Sequence, residues 1–404
     1  MPKAGNHPIL RALHAFVSSW CILGPVAVAQ PPAPAPGPAA PHQAKVDEAI
    51  DKGLEFLKRM SRDGRIPATD TVNGRFSWHE LVFYTMLSGG VPEDDPEMQK
   101  LLKAFLEADL RTTYCVALQA MALQKLDPHR YQPRIAQCAQ FLADNQCENG
   151  QWSYGKPIEL EKITWTPAPA KRKDVYSPGG RTGTTAAGPA GEASVAPGPA
   201  RARETTKALR QVPVKQRRKG PPAGDNSNTQ YATLGLRACL ESGIVLEPKL
   251  LDRALDWWKR GRSTSGGGWP YDSNPAGEPY GSMTAGALGS IAILRYYLRI
   301  PPRGDPLVED GMKWLGVNFK PDVNPKAAGP HLIFNYYWLY SVERLGAFYS
   351  VDKVGTHDWY AEGANWLLSQ QTAEGHWDGN LEKTCWAILF LRRATKPLKK
   401  VYTQ

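Results

Sequence analysis

Residues 139–154 read AQFLADNQCENGQWSY, with Gln146-x-x-x-Gly150-x-Trp152 at their core. The pattern combines a helix end, a glycine turn and a tryptophan at fixed spacing. It returns near the C-terminus as Gln371-x-x-x-Gly375-x-Trp377, and in part as Gly266-Gly267-Gly268-Trp269. Each copy follows a helical stretch with an apolar face, so the chain reads as a repeat protein. The expected roles are structural. Glutamine meets carbonyls left open at a helix end. Glycine takes the left-handed turn that ends a helix, and tryptophan offers its body and indole N–H to the neighbouring unit.

Outward from the motif, two kinds of helix alternate. Val46, Ala49, Ile50, Leu54 and Leu57 mark one face of a helix, whereas 77–87 is apolar on all sides. Residues 98–106 and 112–126 repeat that pair, and 135–142 opens a third that is completed only at 228–239. The next pairs are 251–258 with 283–297, 307–315 with 331–345, and 360–368 with 382–393. A one-faced helix belongs to an outer layer and an all-round apolar one to an inner layer. Six outer and six inner helices suit an all-α double ring, an (α/α)6 toroid spanning 45–396.

Residues 157–224 interrupt the pattern with a stretch rich in Gly, Pro, Ala, Lys and Arg. It reads as a disordered insertion between an outer helix and its inner partner. Much of the net charge of +10 lies here, which argues against nucleic acid as a partner for the ring. The basic insertion suits contact with acidic polymer or an anionic membrane surface. Of six cysteines, none forms a CxxC pair. Cys138 and Cys147 could pair across a helix end, which sequence does not decide. No His/Glu cluster has metal-ligand spacing, so no metal or cofactor is expected.

The N-terminal residues 1–29 have the form of a cleavable signal peptide: basic Lys3 and Arg11, an apolar centre, and Ala27-Val28-Ala29 before Gln30. Residues 30–44 form a Pro/Ala-rich linker. Export to the periplasm or beyond is the expectation, with uncleaved anchoring as the competing arrangement.

QCENGQW and QQTAEGHW resemble the QW repeat of the prenyltransferase and squalene-oxidase-repeat superfamily. DNSNTQYATLGL is similar to the inner helix after such a motif in squalene–hopene cyclase C-terminal domains. The resemblance implies a terpenoid-cyclase-like toroid with a central cavity lined by inner-helix N-terminal ends. It does not carry the reaction across. The acidic DxDD motif of class II cyclases is missing, since Glu93-Asp94-Asp95 precedes an outer helix and reads as a helix cap. Prenyltransferases hold zinc with an Asp two residues before a Cys, whereas Thr113, Arg237 and Lys383 occupy that place here.

Cavity candidates come from the starts of inner helices. His79 and Glu80 stand together as an acid–base pair beside Trp78. Asp225 opens the third inner helix, followed by Thr229 and Gln230. Tyr114 lies at the start of the second, and Phe334, Tyr336 and Tyr337 form an aromatic group at the fifth. These aromatic walls suit an isoprenoid or other apolar ligand. A scaffold for a protein partner is the alternative, and a carbohydrate-active (α/α)6 enzyme with paired carboxylates a third. If the leader reading holds, N-terminal sequencing of exported protein starts near Gln30; material beginning at Met1 overturns it.

Overall fold

The computed structural model describes residues 41, 43–66, 78–158, 209–301 and 304–398. The expected signal peptide lies outside them. The outer helices are α1 (Gln43–Met60), α3 (Pro96–Glu107), α5 (Gln132–Asp144), α7 (Pro248–Arg260), α9 (Pro306–Asn318) and α11 (Trp359–Gln370). The inner helices are α2 (His79–Gly89), α4 (Thr113–Leu126), α6 (Asn226–Glu241), α8 (Gly281–Leu298), α10 (Asn335–Tyr349) and α12 (Leu381–Leu391). Consecutive inner helices pack side by side, and α12 packs back on α2. The (α/α)6 ring is closed. Helix α1 begins at Gln43, inside the expected linker.

Burial follows the two-layer logic. Outer α7 buries only Leu250, Leu251, Ala254, Leu255, Trp257 and Trp258, while every residue of inner α6 from Asn228 to Cys239 is buried. Among the described residues no helix is long and apolar enough to cross a membrane. Asp95 caps α3 by accepting from Glu97 N–H at 3.0 Å, and Glu93 pairs with Arg130 at 2.7 Å. The cysteines from Cys115 to Cys385 are free, Cys138 and Cys147 included.

The motif holds the layers together by a repeated set of hydrogen bonds that corrects two of the expected roles. Each tryptophan donates its indole N–H back to the outer helix it has just left, not to a neighbouring unit: Trp152 to Leu142 O (2.7 Å), Trp269 to Trp258 O (2.8 Å), Trp377 to Leu367 O (2.8 Å). Each tryptophan backbone N–H meets a threonine hydroxyl on the following inner helix: Thr229, Thr284 and Thr384, at 3.0–3.1 Å. The glutamine amide does not stop at its own helix end. Gln146 reaches Leu250 O on α7 (2.9 Å) and Gln371 reaches Ala49 O on α1 (2.8 Å), so it is the glutamine that joins one unit to the next.

Gly150 and Gly375 have φ of +96° and +91°, and each presses on the next outer helix, at the carbonyls of Arg253 and Lys52. A side chain there meets both backbone strain and a fixed carbonyl.

The expectation of disorder across 157–224 is corrected at its C-terminal end; residues 159–208 lie outside the described residues. Residues 209–224 form a strap over the first motif. Its strand β1 (Val212–Val214) pairs in parallel with β2 (Ile244–Leu246) after α6. Arg217 binds the buried Asp144 carboxylate at 2.8 Å, and Arg218 reaches Asn145 Oδ1 at 3.0 Å. The backbone N–H groups of Glu148 and Asn149 donate to Pro221 and Pro222 carbonyls. A composition poor in apolar residues folds here because the ring already presents the partners.

Gly150→Ala is expected to destabilise the chain by about 2–4 kcal/mol. Gly90→Ala is the control, with φ +98° but open space around the added Cβ, and costs about 1–2 kcal/mol. Urea unfolding of both variants checks the difference; equal losses mean that the approach to Arg253 is unimportant.

Candidate functional site

The N-terminal ends of the inner helices converge at one mouth of the ring. Tyr114 on α4 and Tyr337 on α10, which stand opposite each other, join their phenol oxygens at 3.1 Å. Ser227 on α6 bonds both, Tyr337 at 3.1 Å and Tyr114 more closely still. A hydrogen bond therefore spans the diameter of the ring. Beneath it, Tyr231 stacks on Tyr114 at 4.2 Å, and the buried Arg344 lies over Tyr340 at 4.3 Å. The expected open central cavity is filled at this level by tyrosine rings. Burial holds the phenols of Tyr114 and Tyr337 above the usual range, so both stay protonated hydroxyls.

Above this floor, the mouth is walled by residues outside the sequence-derived set. His331 lies against Tyr271 (4.9 Å between ring centres) and Tyr280 (5.2 Å), and Tyr154 OH approaches Tyr271 OH at 3.5 Å. Burial lowers the His331 pKa, with Asp272 opposing, which favours the neutral ring. The chain before α10 is a 3-10 turn, Gly329–Ile333, rather than the helix start expected at His331. The non-helical Phe334 (φ −93°, ψ 40°) separates it from α10. The turn leaves Leu332 and Ile333 50% and 61% exposed beside the mouth.

The other sequence-derived candidates disperse. His79 Nε2 meets the Gly64 carbonyl at 3.2 Å, and burial lowers its pKa. Glu80 is buried, and its charge is felt by Cys138 on α5. These two neighbours in sequence serve different packing contacts. Trp78 stays near the mouth, edge-on to Trp386 at 6.1 Å. Thr229 belongs to the tryptophan clasp, and Gln230 accepts from Arg344 at 2.8 Å. Tyr336 turns to Trp366 of α11 at 5.3 Å, and Phe334 is half-buried at the start of α10. Of the expected aromatic group, Tyr337 reaches the centre.

Asp225 caps α6. Its carboxylate accepts from Asn228 N–H at 2.7 Å and from Asn228 Nδ2 at 2.8 Å. Burial nevertheless pushes its pKa up to about 6, against those hydrogen bonds. The group therefore lies near the mouth as a poorly solvated acid already engaged by its own helix. Among the described residues no group of His, Cys, Asp and Glu is placed to hold a metal.

No protein-family model matches the chain, and no characterised protein matches it by sequence. Solved structures share the fold. A possible member of the GH105 family from Salmonella enterica subsp. enterica serovar Paratyphi A aligns with TM-score 0.51 at 10% identity, covering 90% of this chain and 95% of that one. Two structures of a type II terpene cyclase from Scytonema, one with merosterolic acid A and one with geranylgeranyl dihydroxybenzoate, align over 87% of this chain at 14% and 13% identity, each with TM-score 0.48. They cover 97% and 98% of the cyclase chains. At such identities the likeness extends to the fold alone.

Because the folded chain keeps the Asp225 proton between about pH 4 and 6 while the unfolded chain has lost it, this group's contribution is greatest below pH 4. It falls as pH rises through 6. Asp225→Asn removes that dependence. Relative to the variant, the wild type should lose on the order of 2–3 kcal/mol between pH 4 and 7, readable from urea midpoints at both pH values. A constant difference refutes the assignment.

Proposed function

We propose that this chain is an exported binding toroid that receives an amphiphilic, isoprenoid-like ligand at the mouth of its ring. The polar head of the ligand rests on the hydroxyls of Tyr114, Ser227 and Tyr337. Its apolar body lies against the ring faces around His331 and the lip of Leu332 and Ile333. The observation that carries the reading is the phenol bridge across the ring. It leaves three hydroxyls at the base of an aromatic bowl whose rim exposes two large apolar side chains.

Several features favour binding over turnover. Asp225, a buried carboxyl whose charge reaches Tyr271 and Tyr280, is held by two bonds from Asn228, so it is a poor proton donor to a ligand. His331, with its depressed pKa, offers a neutral ring face rather than a charged acid. The resemblance of the repeat motif to that of the prenyltransferase and squalene-oxidase-repeat proteins supports the isoprenoid part of this reading. The leader-like sequence of residues 1–29 supports the exported part.

Titration with farnesol or geranylgeraniol, read by intrinsic tyrosine and tryptophan fluorescence, is expected to saturate. Leu332→Ser with Ile333→Ser should weaken the affinity at least tenfold, since burying each large aliphatic side chain gains roughly 1.5–3 kcal/mol. Tyr337→Phe should weaken binding of the alcohols while leaving the parent hydrocarbons unaffected. A linear, unsaturable signal, or full affinity in the lip variant, would falsify the proposal.

A further inference from the structure

The opposite end of the ring carries a different chemistry. Lys125 in the last turn of α4, Arg237 of α6, Arg344 of α10 and Lys396 after α12 line one pocket of about 50 Å³. That is room for an ion of a few heavy atoms and far below the size of an ordinary organic-ligand site.

The charges around this pocket do not cancel. Arg237 is matched by Glu241, Nε to Oε1 at 2.8 Å, and also donates to the Lys396 carbonyl at 2.9 Å. Glu343, the other carboxylate nearby, accepts from the backbone N–H and hydroxyl of Thr395 at 2.9 and 2.7 Å. Burial raises its pKa to about 7, so near neutrality it carries only part of a charge. Lys125 has no hydrogen-bonding or ionic partner among the described residues. Burial lowers its pKa to about 8, helped by Lys396 and Arg392 and opposed by Glu343.

Arg344 supplies the second, independent sign. Only 3% of it is exposed, and Nη2 donates to Gln230 (2.8 Å) and Ser341 (3.0 Å). Its Nη1 is buried and meets no acceptor among the described residues. A buried guanidinium N–H is ordinarily satisfied, and guanidinium is the group best shaped for an oxyanion.

We propose that this pocket binds a small oxyanion, a carboxylate or a phosphate group, through the ammonium of Lys125 and the open N–H of Arg344. The site is separate from the mouth and does not depend on what binds there. Its occupant neutralises the lysine whose charge burial and the surrounding cations disfavour, and it supplies the acceptor that Arg344 lacks.

Calorimetric titration of the full chain at pH 7 and fixed ionic strength, with inorganic phosphate and separately with acetate, tests this. One saturable site is expected, weakened about tenfold or more in Lys125→Met. The better-bound anion identifies the occupant as phosphate or carboxylate. Arg344→Lys should weaken binding too; because it also touches the tyrosine core, Lys125→Met at the pocket rim is the deciding variant. In parallel, acylation mapped by mass spectrometry at pH 8 should modify Lys125 ahead of the other lysines, and the bound anion should slow it severalfold. Undiminished binding in Lys125→Met, an absence of saturable binding for both anions, or Lys125 acylation indifferent to both overturns the proposal.

Discussion

The structure depends on the clasp made by Gln146, Gly150 and Trp152 and repeated at Gln371, Gly375 and Trp377. Tryptophan ties the turn to the outer helix before it and to the inner helix after it. Glutamine carries the chain across to the next outer helix. In the last copy that next helix is α1, so the last unit of the ring is sewn to the first. An open repeat array has terminal units that fray and need polar caps. A ring sewn in this way has none, and the loss of one clasp weakens every neighbour at once.

Much of this architecture was legible in the sequence, for a physical reason. The difference between Leu251–Ala254–Leu255–Trp258 on one face and the small and apolar residues on every side of α8, buried without a gap from Gly281 to Ile291, is a difference in how many sides a helix must bury. That difference survives in composition without any knowledge of partners. Hydrogen-bond destinations do not survive in the same way. Gln146 finds its acceptor at Leu250, 104 residues onward, and nothing local says which carbonyl will be there. The strap at 209–224 is illegible in sequence for a related reason: its arginines and short strand have partners only once Asp144 and β2 are in place.

The mouth was partly legible. Tyr114 and Tyr337 were marked by their position at inner-helix starts, yet sequence does not specify that the ring is narrow enough for them to touch. His79 and Glu80 looked like a pair because they are adjacent, but neighbours on a helix point about 100° apart. The residues around the mouth, Tyr271, Tyr280 and His331, lie outside the α-helices, where periodicity carries no signal. Pro330 opens a 3-10 turn here, but proline suits the first turn of any helix, so nothing local says that α10 begins only at Asn335 and leaves Leu332 and Ile333 in the open.

The strap has a further consequence for how such a chain can change. Arg218 donates to the carbonyls of Lys156 (3.0 Å) and Pro157 (3.4 Å), so the described chain on the two sides of residues 159–208 is stitched at one spot. The entropy of closing a loop rises only with the logarithm of its length. With both flanks already tied to each other and to the ring, the fold's hold on the strap depends little on how many residues join them. The connection between α5 and α6 is thus a place where new sequence can be tried without risk to the closed ring, much as surface loops on a rigid scaffold accept function elsewhere.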